Sequence, residues 1–122
     1  MSKATETFKQ IVELLDILSE GFEYTSALIV ENKLDEALEM LYNIIAGIDS
    51  IINNLNPHVD ELPGNDLQNL GVVMSDELNK LIDIFKTNNA AVIESHITSN
   101  LGPAFLAWKI EIEKLLRPFV LS

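Results

Sequence analysis

An all-α four-helix bundle with up-down-up-down topology follows from three features of this sequence. Apolar residues recur at alternating spacings of three and four through most of its 122 residues. Turn chemistry separates the periodic stretches at Asn32-Lys33, at Asn56-Pro57 with Leu62-Pro63-Gly64-Asn65, and at Thr87-Asn88-Asn89. The four stretches are similar in length, roughly 20 to 28 residues, or rods of about 30 to 40 Å at 1.5 Å per residue. Rods of matched length with one apolar seam each pack most simply as a bundle, with residues 1–122 forming a single domain.

The first helix is expected from Ala4 to Glu31. Its seam, Phe8, Ile11, Leu15, Leu18, Phe22, Thr25 and Ile29, has one polar member. Asn32 is the expected N-cap of the second helix, with Asp35 and Glu36 in the first turn, where carboxylates favour the positive end of the helix dipole. That helix should run from Leu34 to Leu55 on Leu34, Leu38, Leu41, Ile45, Ile48, Ile52 and Leu55. Gly47, inside it, reads as a tolerated glycine costing about 1 kcal/mol relative to alanine. Residues Asn53 to Asn65 form the one substantial loop, with Leu62 placed to fold back onto the core.

The third helix should start at Asn65 or Asp66, either of which can cap it, and end near Thr87. Its seam is Leu67, Leu70, Met74, Leu78, Leu81 and Phe85. The fourth stretch contains Gly102-Pro103, yet Ile93, Ile97, Leu101, Ala104, Trp108, Ile112 and Leu115 keep their helical phase across it. A single helix from Asn89 to Leu116 is therefore expected, kinked at Gly102-Pro103, where the backbone bond to Ser99 is lost. Pro118 should end it. Trp108 falls on this seam, which predicts core packing.

Charge excludes some functions. Eight basic and nineteen acidic residues give a net charge of −11, which repels nucleic acid and anionic membrane surfaces. Mean hydropathy is high, at +0.19, but no apolar run approaches the about 20 residues of a membrane-spanning helix. Met1-Ser2-Lys3-Ala4-Thr5-Glu6 lacks the apolar core of a signal peptide, and there is no cysteine, so a cytoplasmic protein is expected.

Chemical motifs are sparse. His58 falls in the loop and His96 in the fourth helix. Glu94 and His96 are two apart, so they point to different sides of a helix and do not form the Glu-x-x-His pair of a di-iron bundle. Neither a Gly-x-Ser-x-Gly elbow nor a glycine-rich phosphate loop occurs. The acid pairs Asp35-Glu36 and Asp60-Glu61 read as helix starts or solvated faces. The expectation is a protein that is not an enzyme and has no metal or cofactor.

Apolar residues exceed what the four seams need: Leu14, Ile17, Tyr24 and Leu28 on the first helix, Met40, Ile44 and Ile51 on the second, Val73, Ile82 and Ile84 on the third, and Ile110 and Phe119 near the end. Such a surplus suits a partner surface. Ile17, Tyr24, Ile44 and Ile51, all off the seams, are the candidate protein-binding residues. The expected function is a small chaperone or adaptor that binds an amphipathic or disordered segment of a protein partner. The alternative is a structural homodimer in which a second copy covers the same surface.

The helical plan also resembles the flagellar export chaperones of the FliS type. The resemblance is carried by Leu14-Leu15-Asp16-Ile17-Leu18-Ser19-Glu20-Gly21, the Glu31-Asn32-Lys33 link, Ile51-Ile52-Asn53-Asn54-Leu55 closing helix two, Gly64-Asn65-Asp66-Leu67-Gln68-Asn69-Leu70 opening helix three, and Trp108. It implies an acidic four-helix bundle that wraps the disordered end of a client protein. The sequence departs from that pattern in a first helix shorter by about a turn, and in Ser19 and Glu20 where a tyrosine precedes the early glycine. The plan is similar as well to many uncharacterised small helical bacterial proteins.

Overall fold

The computed structural model describes residues 3–62 and 64–120. Pro63, a member of one expected turn, lies outside the described residues, as do Met1, Ser2, Leu121 and Ser122. The helices are α1 (Lys3–Val30), α2 (Leu34–Leu55), α3 (Leu67–Phe85), α4 (Ala90–His96) and α5 (Gly102–Val120). A 3-10 turn (Asn56–Glu61) follows α2, and a π-helical turn (Ile97–Leu101) joins α4 to α5 in one continuous rod. The described residues contain no strand, and the four rods form an all-α bundle. α1 packs on α2 and on the α4–α5 rod, and α3 packs on that rod too. α2 and α3, also neighbours, touch far less.

The seams of α1 and α3 are as expected. Phe8, Ile11, Leu15, Leu18 and Ile29 are buried, as are Leu67, Met74, Leu78, Leu81 and Phe85, while Phe22 and Leu70 are half-buried. Thr25 is fully buried because its Oγ1 donates to the Gly21 carbonyl at 2.8 Å, which satisfies the hydroxyl within its own helix.

The seam of α2 is rotated from its expected position. Ala37, Leu41, Ile44, Ile48, Ile51 and Leu55 are buried, whereas Leu34, Leu38, Ile45 and Ile52 are only half-buried. Both sets have helical spacing, so periodicity alone does not choose between them; close approach to α1 does. A Cβ on Gly47 would stand 2.7 Å from Leu18 Cδ2, and one on Gly21 would stand 3.2 Å from Ile44 Cγ1. The two glycines receive each other's neighbours, so Gly47 is a packing site and not merely a tolerated residue.

Three local expectations are corrected. Asn32 does not cap α2; it sits at φ 59° and closes α1. Its N–H donates to Ile29 O at 2.9 Å and the Lys33 N–H to Leu28 O at 2.8 Å, the paired bonds of a Schellman ending. Position 33 starts α2 without a side-chain cap. Pro118 does not end the last helix, which continues to Val120. Beyond it, Phe119 packs edge-on against Phe8, with ring centroids 5.1 Å apart.

The third correction places the irregularity of the fourth rod one turn before Pro103. Gly102 N–H donates to Ile97 O, five residues back, and the backbone stays right-handed at both ends of the turn. This wider turn accommodates Pro103, whose ring in a regular helix would strike the carbonyl four residues earlier. It also carries the rod's seam, with Ile93, Ile97, Leu101, Phe105, Trp108, Ile112 and Leu115 all buried. A Cβ at position 102 would stand 2.8 Å from Ile97 O, so the turn admits only glycine there.

At the α3 start, Asn65 Oδ1 accepts from Leu67 N–H at 3.1 Å. Asn89 caps α4, its Oδ1 accepting from Val92 N–H at 3.2 Å. Leu62 is buried in the core, as its position in the loop led one to expect.

Candidate functional site: the open edge between α2 and α3

α1 packs closely on α2, and α1 and α3 on the α4–α5 rod, whereas the α2–α3 edge is the loosest of the four. Where the 3-10 turn crosses from one helix to the other, it leaves a groove of about 630 Å³. That is within the roughly 300–1,000 Å³ typical of ligand-binding clefts. Ile52, Leu55, Asn56 and Val59 form one wall, and Leu67, Gln68, Gly71, Val72, Ser75 and Asp76 form the other. Trp108 is the floor.

Each wall follows from local sequence. Ile52 belongs to the half-buried set Leu38, Ile45 and Ile52, spaced by seven along one face of α2. Pro57 at the start of the 3-10 turn keeps the chain tight and brings Val59 over the end of the groove. On α3, Gly71 offers no side chain, and a Cβ there would meet only Trp108 Nε1, at 4.0 Å. That indole N–H has no acceptor among the described residues. Val72, on the rim, is 55% exposed.

The start of α3 is tied to α5. Asp66 N–H donates to Glu111 Oε2 at 3.1 Å, and Lys114 Nζ lies 2.8 Å from Glu111 Oε1. The hydrogen bond from Lys114, then that from the Asp66 backbone, hold the Glu111 carboxyl below its ordinary pKa against a smaller opposing effect of burial. This clamp fixes the α3 wall over Trp108.

The four candidate residues do not assemble into one surface. Ile17 and Tyr24 are 60% and 51% exposed, on α1 and away from the groove. Ile44 and Ile51 are 2% and 0% exposed, sealed in the α1–α2 seam, because the close approach at Gly21 and Gly47 turns that side of α2 inward. They offer no surface to a partner. The groove residues Val59, Gly71 and Val72 were missed. The pointer to them was the second apolar stripe of α2, which makes that helix apolar on two sides.

A second polar cluster ties α3 to α4. His96 is buried, and its Nε2 lies 2.9 Å from Glu77 Oε2, with Lys80 Nζ at 3.3 Å from the other carboxylate oxygen. Burial would raise the Glu77 pKa, but hydrogen bonds from Lys80 and His96 and their positive charge bring it below its ordinary value. The Glu77 carboxylate pairs with His96 through Nε2, and His96 Nδ1 has no hydrogen-bond partner among the described residues. No group of three metal-ligating side chains converges among the described residues. Nor is any described helix long and apolar enough to cross a membrane.

Fold and groove together define an all-α four-helix bundle with one open, apolar edge. The chain belongs to the family described as Domain of unknown function (DUF8042), whose model matches residues 6–111. That span contains both walls and the floor of the groove. Neither a curated protein nor a solved structure matches the chain.

Proposed function

We propose that this protein is a non-enzymatic binding module, a small chaperone or adaptor, that holds an apolar segment of a partner protein in the α2–α3 groove. The observation that carries the reading is the asymmetry of the bundle. Three edges are closely packed, while along the fourth half-buried Ile52 and Val59 and exposed Val72 surround a tryptophan floor. An apolar cleft beside a helical face spaced by sevens matches the helix-in-groove mode of recognition. The likeness of the helical plan to the FliS-type export chaperones supports the same class of activity. The absence of cysteine agrees with a cytoplasmic setting, since no disulfide is needed to hold the fold.

Light scattering combined with Nile red, a neutral apolar dye, tests this reading. A monomer that binds the dye, with energy transfer from the protein's single tryptophan, is the expected result. A monomer that takes up no dye overturns the reading. A dimer that excludes the dye indicates the alternative, a homodimer in which a second copy fills the groove.

A further inference from the structure

We infer that the occupant of the α2–α3 groove is a cationic amphipathic helix from a different protein, its apolar stripe lying on Ile45, Ile52 and Val72 and its lysines or arginines facing Asp76. The inference rests on the groove being the binding surface and specifies what binds there.

Length and spacing select a helix. Half-buried Leu38, Ile45 and Ile52 share one face of α2 over 14 residues, or about 21 Å at 1.5 Å per residue, and Ile52 at the end of that row lines the groove. A helix whose apolar residues also repeat every three and four matches that row of sevens along its whole length.

Charge selects the partner. Asp76 is the only charged residue lining the groove, and it has no ion-pair partner there. Further acids, Asp35 and Asp49, lie on α2, and the whole chain carries −11. Two such bodies repel, so a second copy is disfavoured, while a cationic segment is drawn in and meets a carboxylate beside apolar walls. The Trp108 N–H supplies a single donor at the floor for an acceptor of the incoming helix.

Two synthetic helical peptides of about 18 residues, sharing one leucine stripe and bearing either lysines or glutamates on the polar face, test the inference. Trp108 is the only tryptophan, so its emission reports the groove directly. The lysine peptide should bind the wild type and shift that emission, and the glutamate peptide should not. Gly71→Leu, which fills the groove without changing charge, should abolish the response. Asp76→Lys should weaken binding by roughly fivefold, as reversal of one partly exposed charge contact does. If Gly71→Leu does not fold, Val72→Lys, on the exposed rim, takes its place and should also abolish the response.

Equal binding of both peptides overturns the cationic assignment and leaves the groove standing as the binding surface. Equal binding of the lysine peptide by the wild type and the groove-blocked variant reduces the contact to diffuse charge attraction and overturns both readings. A doubled mass that Gly71→Leu returns to monomer makes the occupant a second copy. A monomer that binds neither peptide overturns the inference, and the Nile red result then decides separately whether the groove is open to an apolar partner.

Discussion

Replacing Gly102 with alanine should destabilise the protein, although the same change inside an ordinary helix stabilises it. Alanine gains about 1 kcal/mol over glycine in a helix interior through backbone entropy. At position 102 the new methyl would stand 2.8 Å from the Ile97 carbonyl oxygen, a backbone atom that cannot rotate away. Relief requires opening the π-turn, which gives up the Gly102 N–H to Ile97 O bond, worth about 1 kcal/mol, and shifts the buried Ile97 and Leu101. Overpacking of that kind costs about 1–3 kcal/mol. The balance is a net loss of about 1–3 kcal/mol. In urea melts followed by circular dichroism at 222 nm, with a slope of about 2 kcal/mol per molar, the midpoint should fall by about 0.5–1.5 M. Gly71→Ala is the internal control. Its Cβ meets nothing closer than 4.0 Å, so it should raise stability by about 0.5–1 kcal/mol. A Gly102→Ala protein as stable as its Gly71→Ala counterpart refutes the account of the fourth rod.

Further outcomes follow from the same contacts. Thr25→Val should be neutral or stabilising by up to about 1 kcal/mol in thermal melts, because the hydroxyl bonds only to a carbonyl of its own helix; a loss above 2 kcal/mol would show that the hydroxyl has another role. Glu77 and Glu111 both have depressed pKa values when folded, so their contribution is present above the unfolded carboxyl value and is lost as pH falls through the folded one. Stability should therefore decline as pH drops below about 4.5, and Glu77→Gln should flatten part of that decline; an unchanged pH profile contradicts the assignment. Glu77→Gln should also cost about 1–2 kcal/mol at neutral pH by weakening the bond to buried His96, as read in the same urea melts.

Most of the fold was legible because α1 and α3 each carry one dominant apolar seam, and burial follows it at every position but Phe22 and Leu70, which are half-buried. α2 was misread where its composition is ambiguous. With apolar residues both at Leu38, Ile45, Ile52 and at Ile44, Ile51, periodicity cannot distinguish the tightly packed side from the open one. The two glycines that decide it, Gly21 and Gly47, act across helices, so their effect is invisible within either. The same error placed Ile44 and Ile51 on the surface and hid the groove on the opposite flank. Continuity through Pro103 was readable from Leu101, Ala104 and Trp108, which keep the spacing of three and four across the proline. The π-turn itself was not, because the hydrogen-bond shift at Gly102 leaves no composition signal. Asn32 was read as an N-cap because the residue suits either role, and only its positive φ assigns it to the end of α1.

The central claim is that the open α2–α3 edge is the binding surface. The most direct measurement is a two-dimensional ¹⁵N NMR titration with the lysine-faced amphipathic peptide. Shifts concentrated at Ile52, Val59, Gly71, Val72, Asp76 and the Trp108 indole N–H are the predicted result. Shifts centred instead on the exposed Ile17 and Tyr24 would contradict it.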